Sequence, residues 1–101
     1  MKIFERTAAI EDITRAIAWI ALDNPAAARR FLTAVQESYK EIRRFPYIGV
    51  KRFFAGSGLR SWRVKGFPHL IFYRPTSERI EIVRVLHPAL DLERELGEAE
   101  V

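Results

Sequence analysis

Two stretches with helical apolar spacing meet at Asp23-Asn24-Pro25, and that tripeptide leaves almost no chain between them. Asn24 suits an N-cap, and Pro25 suits the first position of a helix, where its missing N–H is not needed. Upstream, Ile10, Ile13, Ile17 and Ile20 recur at three, four and three residues, the stripe of an amphipathic helix ending near Leu22. Thr7 offers an N-cap for it, and Glu11 and Asp12 place carboxylates near the positive end of its dipole. Downstream, Ala28, Phe31 or Leu32, Val35, Tyr39 and Ile42 keep the same period, while Arg29, Arg30, Glu37, Lys40 and Arg43 fall on the opposite side. So short a joint forces an antiparallel helical hairpin, and its shared apolar face needs a sheet to cover.

The rest of the chain supplies the sheet. Residues 2–6 read as a short first strand. Phe45-Pro46-Tyr47-Ile48-Gly49 stops the second helix, because proline biases the preceding residue out of the α region and Gly49 permits a turn. A loop follows through Arg52, Phe53 and Phe54 to Gly56 and Gly58. Residues 59–64, 67–74 and 79–86 are rich in β-branched and aromatic side chains, and turns at Lys65-Gly66 and Pro75-Thr76-Ser77 connect them as an antiparallel meander. Pro88 can then open a short C-terminal helix with Leu92 and Leu96 at i and i+4 and Gly97 as its C-cap. The expected architecture is a single α+β domain over residues 1–101, ordered β-α-α-β-β-β, with the N-terminal helical hairpin packed on a small antiparallel sheet.

Strict alternation puts Ile80, Ile82, Arg84 and Leu86 on one face of the last strand and Glu81, Val83, Val85 and His87 on the other. Likewise His69, Ile71 and Tyr73 oppose Leu70, Phe72 and Arg74. Neither face is polar, and one hairpin covers only one of them. The second face is expected to be completed by a protein partner in preference to the short helix or the long loop.

Charge narrows the function. Lysine and arginine number 17 against 13 aspartates and glutamates, a net charge of +4, and the basic residues Lys51, Arg52, Arg60, Arg63, Lys65, Arg74, Arg79 and Arg84 crowd the strand region. An anionic partner is indicated. With no cysteine, disulfides and thiolate metal sites are excluded, and His69 and His87, without nearby paired carboxylates, do not suggest a metal site. No apolar run is long enough to span a bilayer, and no secretory leader is evident, so a cytoplasmic location is expected. Gly56-Ser57-Gly58 lacks the spacing of a phosphate-binding loop.

Five features in this order, namely the break at Asp23-Asn24-Pro25, Phe45-Pro46-x-x-Gly49, Leu59-Arg60, Ile71-Phe72-Tyr73-Arg74, and Arg84-Val85-Leu86-His87 followed by Asp91-Leu92, resemble the ParE branch of the RelE/ParE superfamily of toxins. The resemblance spans about nine-tenths of the chain. It implies a toxin of a type II toxin–antitoxin module, of the kind associated with plasmid stabilization, that inhibits DNA gyrase and is neutralised by an acidic, ParD-like cognate antitoxin in a hetero-oligomeric complex. It implies no cofactor. RelE-like relatives are instead ribosome-dependent mRNA endonucleases, and a third possibility is an attenuated homologue that keeps only antitoxin binding and operon autoregulation.

Fold alone does not separate these readings, so residues must. RNA cleavage needs a proton acceptor, a proton donor and cations at the phosphorane. His87 with Arg60, Arg63 and Arg84 is the set the chain offers, although alternation separates Arg84 from His87 unless the strand ends or bulges between them. His87 is followed by Pro88, and no Tyr, Phe, Trp or second His lies beyond it. Half of an acid–base set is missing, which favours a binding protein over an enzyme. The candidate contacts to target or antitoxin are Arg60, Arg63, Arg74 and Arg84, together with the aromatics Trp19, Phe53 and Phe54. Trp19 lies off the isoleucine stripe and can anchor a partner.

Overall fold

The computed structural model describes residues 1–53, 58–90 and 92–100. Phe54 lies outside them. Strand β1 (Lys2–Glu5) leads into α1 (Thr7–Asp23) and α2 (Pro25–Arg44); β2 (Val50–Lys51), β3 (Arg60–Arg63), β4 (Leu70–Pro75) and β5 (Arg79–Leu86) follow, and α3 (Leu92–Glu100) closes the chain. One five-stranded sheet has the order β1-β5-β4-β3-β2. The meander β3-β4-β5 is antiparallel, and β1 adds to β5 in parallel, so the sheet is mixed. β2 falls in a segment read from sequence as loop. It pairs through Val50 and Lys51 with Ser61 and Arg60.

The hairpin forms for the expected reasons. Asn24 Oδ1 accepts from the Ala27 N–H at 3.0 Å, and Pro25 opens α2. At the start of α1 the expectation fails. Thr7 is the first helical residue, not its cap, and Arg6 holds the cap position with its carbonyl accepting from Ala9 and Ile10. The inward stripe is also rotated: Ile10 is 47% exposed, whereas Ala9 and Ile13 are buried and Ala16, Ile17 and Ile20 pack beside them. On α2 the inward side chains are Ala28, Phe31, Val35 and Ile42, with Leu32 exposed. These face Ile71 and Tyr73 of β4 and Ile80, Ile82 and Val85 of β5 in the main core.

Strict alternation along β5 breaks at a bulge. Phe72 pairs with Arg84 and Tyr73 with Ile82, leaving Val83 without an opposite residue. Past this point the faces exchange: Val85 joins the main core, and Leu86 joins Val83, Leu59 and Phe72 on the second face. That second face is covered by the chain itself. Leu96 of α3 is fully buried against it, with Leu92 and Leu70 packed around, so the expected need for a protein partner to complete the sheet is corrected. A nine-residue helix suffices because, among the described residues, the sheet side chains in this cluster are Leu59, Leu70, Phe72, Val83 and Leu86. Pro88 lies in a turn ahead of α3, and Gly97 sits inside the helix, not at its C-cap.

Gly49 has a different role from the expected turn. Its φ is not positive; a Cβ there would lie 2.6 Å from Tyr73 Oη and 2.7 Å from the Ser61 carbonyl. The Gly49 N–H donates to Tyr73 Oη at 2.8 Å, so glycine is needed for close approach of the chain leaving α2 to the sheet. Gly66, with φ +83°, makes the β3–β4 turn possible. No helix among the described residues is long and apolar enough to cross a membrane.

Candidate functional site

At the end of β5 the chain builds a cleft of about 640 Å³ between α1, the turn before β4 and the segment after Leu86. Its floor contains an ion pair that sequence reasoning missed. Asp12 sits on the inward side of α1, next to Ile13, and is buried. Its carboxylate accepts from Arg84 Nε at 2.7 Å and from Arg84 Nη2 at 2.9 Å. It also accepts from the Val85 N–H at 3.0 Å and from Arg15 at 3.0 Å. Arg84 donates further to the Glu95 carbonyl and to Glu95 Oε2. One guanidinium therefore ties α1, β5 and α3 together, and its pKa is raised first by the hydrogen bond to Asp12, against the opposing effect of burial. The signal available in the sequence was a carboxylate beside the inward isoleucine stripe matched by an arginine inside an apolar strand.

The bulge at Val83 and the end of β5 at Leu86 bring Arg84 and His87 to one cleft despite the alternation rule. The two histidines also meet there: their rings are 5.3 Å apart and nearly perpendicular. His69 packs edge-on against Phe31 as well, and its Nδ1 is buried without a hydrogen-bond partner among the described residues. Burial, and then the nearness of His87, lowers the His69 pKa below its ordinary value. His87 is exposed, and its Nδ1 accepts from the Ala89 N–H at 3.0 Å, which turns the ring's other nitrogen to the role of donor. Among the described residues no group of three or more potential metal ligands forms.

Trp19 stands at the wall of this cleft, 77% exposed, with Leu90 exposed across it. It does not pack into the hairpin. The remaining candidates lie elsewhere. Arg60 on β3 donates to the Tyr47 and Gly49 carbonyls, both at 3.0 Å, and stacks over the Tyr47 ring, so it braces the segment leaving α2. Arg63 is exposed and bonds the Phe67 carbonyl. Arg74 is half-buried, its stem near Gly58. Phe53 is 86% exposed, and Phe54 is outside the described residues. The set His87, Arg60, Arg63 and Arg84 does not converge: β4 separates the two β3 arginines from β5, roughly 10 Å across.

The architecture is thus a compact mixed sheet under a helical hairpin, with a cleft between α1 and the end of the last strand. The family described as "ParE toxin of type II toxin-antitoxin system, parDE" matches residues 4–91, and the chain belongs to it. A solved structure titled "Chromosomal ParDE TA system from P. aeruginosa" has the same fold, with a TM-score of 0.73 at 18% identity over 86% of this chain and 95% of that one. No curated protein sequence matches this chain.

Proposed function

We propose that this ParE-family toxin acts by binding and not by catalysis, inhibiting DNA gyrase and being silenced by an acidic, ParD-like antitoxin. The observation that carries the reading is the commitment of Arg84. A guanidinium held by a bidentate ion pair, buried, and bonded also to Glu95 is part of the fold and is not free to stabilise a phosphorane. Arg60, placed by two carbonyls on β3, lies across β4 from the His87 cleft. What the cleft offers instead is apolar surface with an exposed indole at its wall, the kind of anchor a partner's helix or segment buries. The antitoxin is assigned to the Trp19 cleft, and exposed Arg63 is assigned to the target. The antitoxin reading is also supported by the solved relative, whose title names a ParDE system.

The competing reading, a ribosome-dependent mRNA endonuclease, rests on one observation: His87 is exposed in the cleft beside a second imidazole. Purified toxin in a gyrase supercoiling assay, with transcripts mapped in cells expressing it, separates the two. Supercoiling is expected to fall equally with wild type and His87→Ala, and to recover with Arg63→Glu. Ribosome-positioned cuts abolished by His87→Ala would overturn the proposal. Expression with no effect on growth, supercoiling or transcripts would instead support an attenuated homologue that only binds its antitoxin.

A further inference from the structure

The arginines on the two sides of the sheet are held in different ways. Toward β1 and β5 they meet carboxylates: Arg6 and Arg79 pair with Glu81, and Arg84 with Asp12. On the β2 side they are held by neutral groups. Arg52 donates to Ser61 Oγ at 2.8 Å and Arg60 to two carbonyls. Among the described residues none of Lys51, Arg52 or Arg60 has a carboxylate within 4.0 Å. Neutral acceptors fix where a guanidinium sits without cancelling its charge, so among the described residues Arg52 and Arg60 carry oriented positive charge that no carboxylate offsets.

The same side is an open sheet edge. β2 is the last strand, and both of its residues are exposed. The Arg52 N–H donates to the Leu59 carbonyl at 2.9 Å, which makes Arg52 and Leu59 a hydrogen-bonded pair across the strands. In an antiparallel ladder the preceding residue then turns its N–H and C=O outward, so Lys51 presents both groups at the edge. Cations flank this edge on both faces. Arg60 reaches back to Gly49 from the face of the helices, where its neighbour Trp62 packs, and Arg52 lies on the opposite face over Phe72.

We propose that the β2 edge is a docking site for an extended, acidic polypeptide segment that pairs with Lys51 as an added strand. An added strand sends successive side chains to opposite faces, so carboxylates at neighbouring positions would meet Arg60 on one face and Arg52 on the other. Exposed Val50 supplies apolar contact beside the ladder. The site lies at the far edge of the sheet from the β1–β5 pair, and peptide binding there stands or falls whether or not gyrase is inhibited.

The test uses the full chain and a labelled ten-residue peptide in which pairs of glutamates alternate with pairs of valines, so that carboxylates fall on both faces of the strand, followed by fluorescence anisotropy and amide hydrogen exchange. Three further probes accompany it: the same peptide with alternate amides N-methylated, its lysine counterpart, and a ten-nucleotide single strand. The acidic peptide is expected to bind with an affinity that falls as salt rises, and to slow exchange of the Lys51 amide. N-methylation and Lys51→Pro, each of which removes ladder hydrogen bonds, should each weaken binding by about tenfold. Lys51→Gln, which removes only the charge, should weaken it less than Lys51→Pro. Equal binding of the methylated peptide, tighter binding of the oligonucleotide or of the lysine peptide, or no binding would each overturn the proposal.

Discussion

Asp12 and Arg84 are 72 positions apart and form the most consequential pair in the molecule, because each is buried and each satisfies the other. Removing one partner strands a charge away from water. Asp12→Ala is expected to destabilise the fold by about 3–5 kcal/mol, measured by urea denaturation. Asp12→Leu with Arg84→Met together should recover most of that loss, since the penalty comes from the unpaired charge and not from the absence of the bridge. His69 gives a pH dependence. Its pKa is held below the ordinary 6.5 in the folded chain, so on acidification the unfolded chain takes up a proton first. Stability must therefore fall as pH drops through 6.5 toward the lowered folded value, and level off below it. Urea midpoints at pH 7.5 and 5.5 are expected to differ more for wild type than for His69→Gln, the difference isolating this one group from the carboxylates.

At the scale of elements, α3 and the segment after α2 hold the sheet from outside the hairpin. Leu96→Ala, which uncovers Leu59, Phe72, Val83 and Leu86, should cost about 2–5 kcal/mol in the same denaturation measurement. Gly49→Ala should also destabilise, by about 1–3 kcal/mol, because the added methyl meets Tyr73 Oη and a backbone carbonyl. The hairpin was legible because its signals are local: a cap, a proline and a 3.6-residue period lie within a few residues of one another. The strands of the meander were legible for the same reason. What the sequence hid was long-range. The bulge at Val83 depends on how β4 and β5 register, and it moved Val85 to the helices and let Arg84 and His87 share a cleft. Two-residue β2 lacks a period of its own and exists through its partner β3. Arg60 and Arg84 stood out as cations among apolar residues, but whether each was free or bound depended on Tyr47, Gly49, Asp12 and Glu95, which are brought together only by folding.

At the scale of the whole molecule, the chain divides into a closed structural framework and exposed surfaces that the fold does not use. Trp19 is the clearest of the latter: Trp19→Ala should leave the urea midpoint unchanged and weaken capture of the antitoxin by at least tenfold, as expected when a hot-spot aromatic is lost. The arginine-rich strands, by contrast, divide between residues that hold the fold and residues open to partners, which is why the basic character of the sheet does not by itself imply RNA chemistry. The central claim is that toxicity comes from binding gyrase without a catalytic imidazole. The most direct measurement is the dose of purified toxin that halves gyrase supercoiling, compared between wild type and His87→Ala at matched folding. Inhibition at the same dose is expected for both proteins; absence of inhibition by the wild type, or its loss in His87→Ala, would rule out this mode of toxicity.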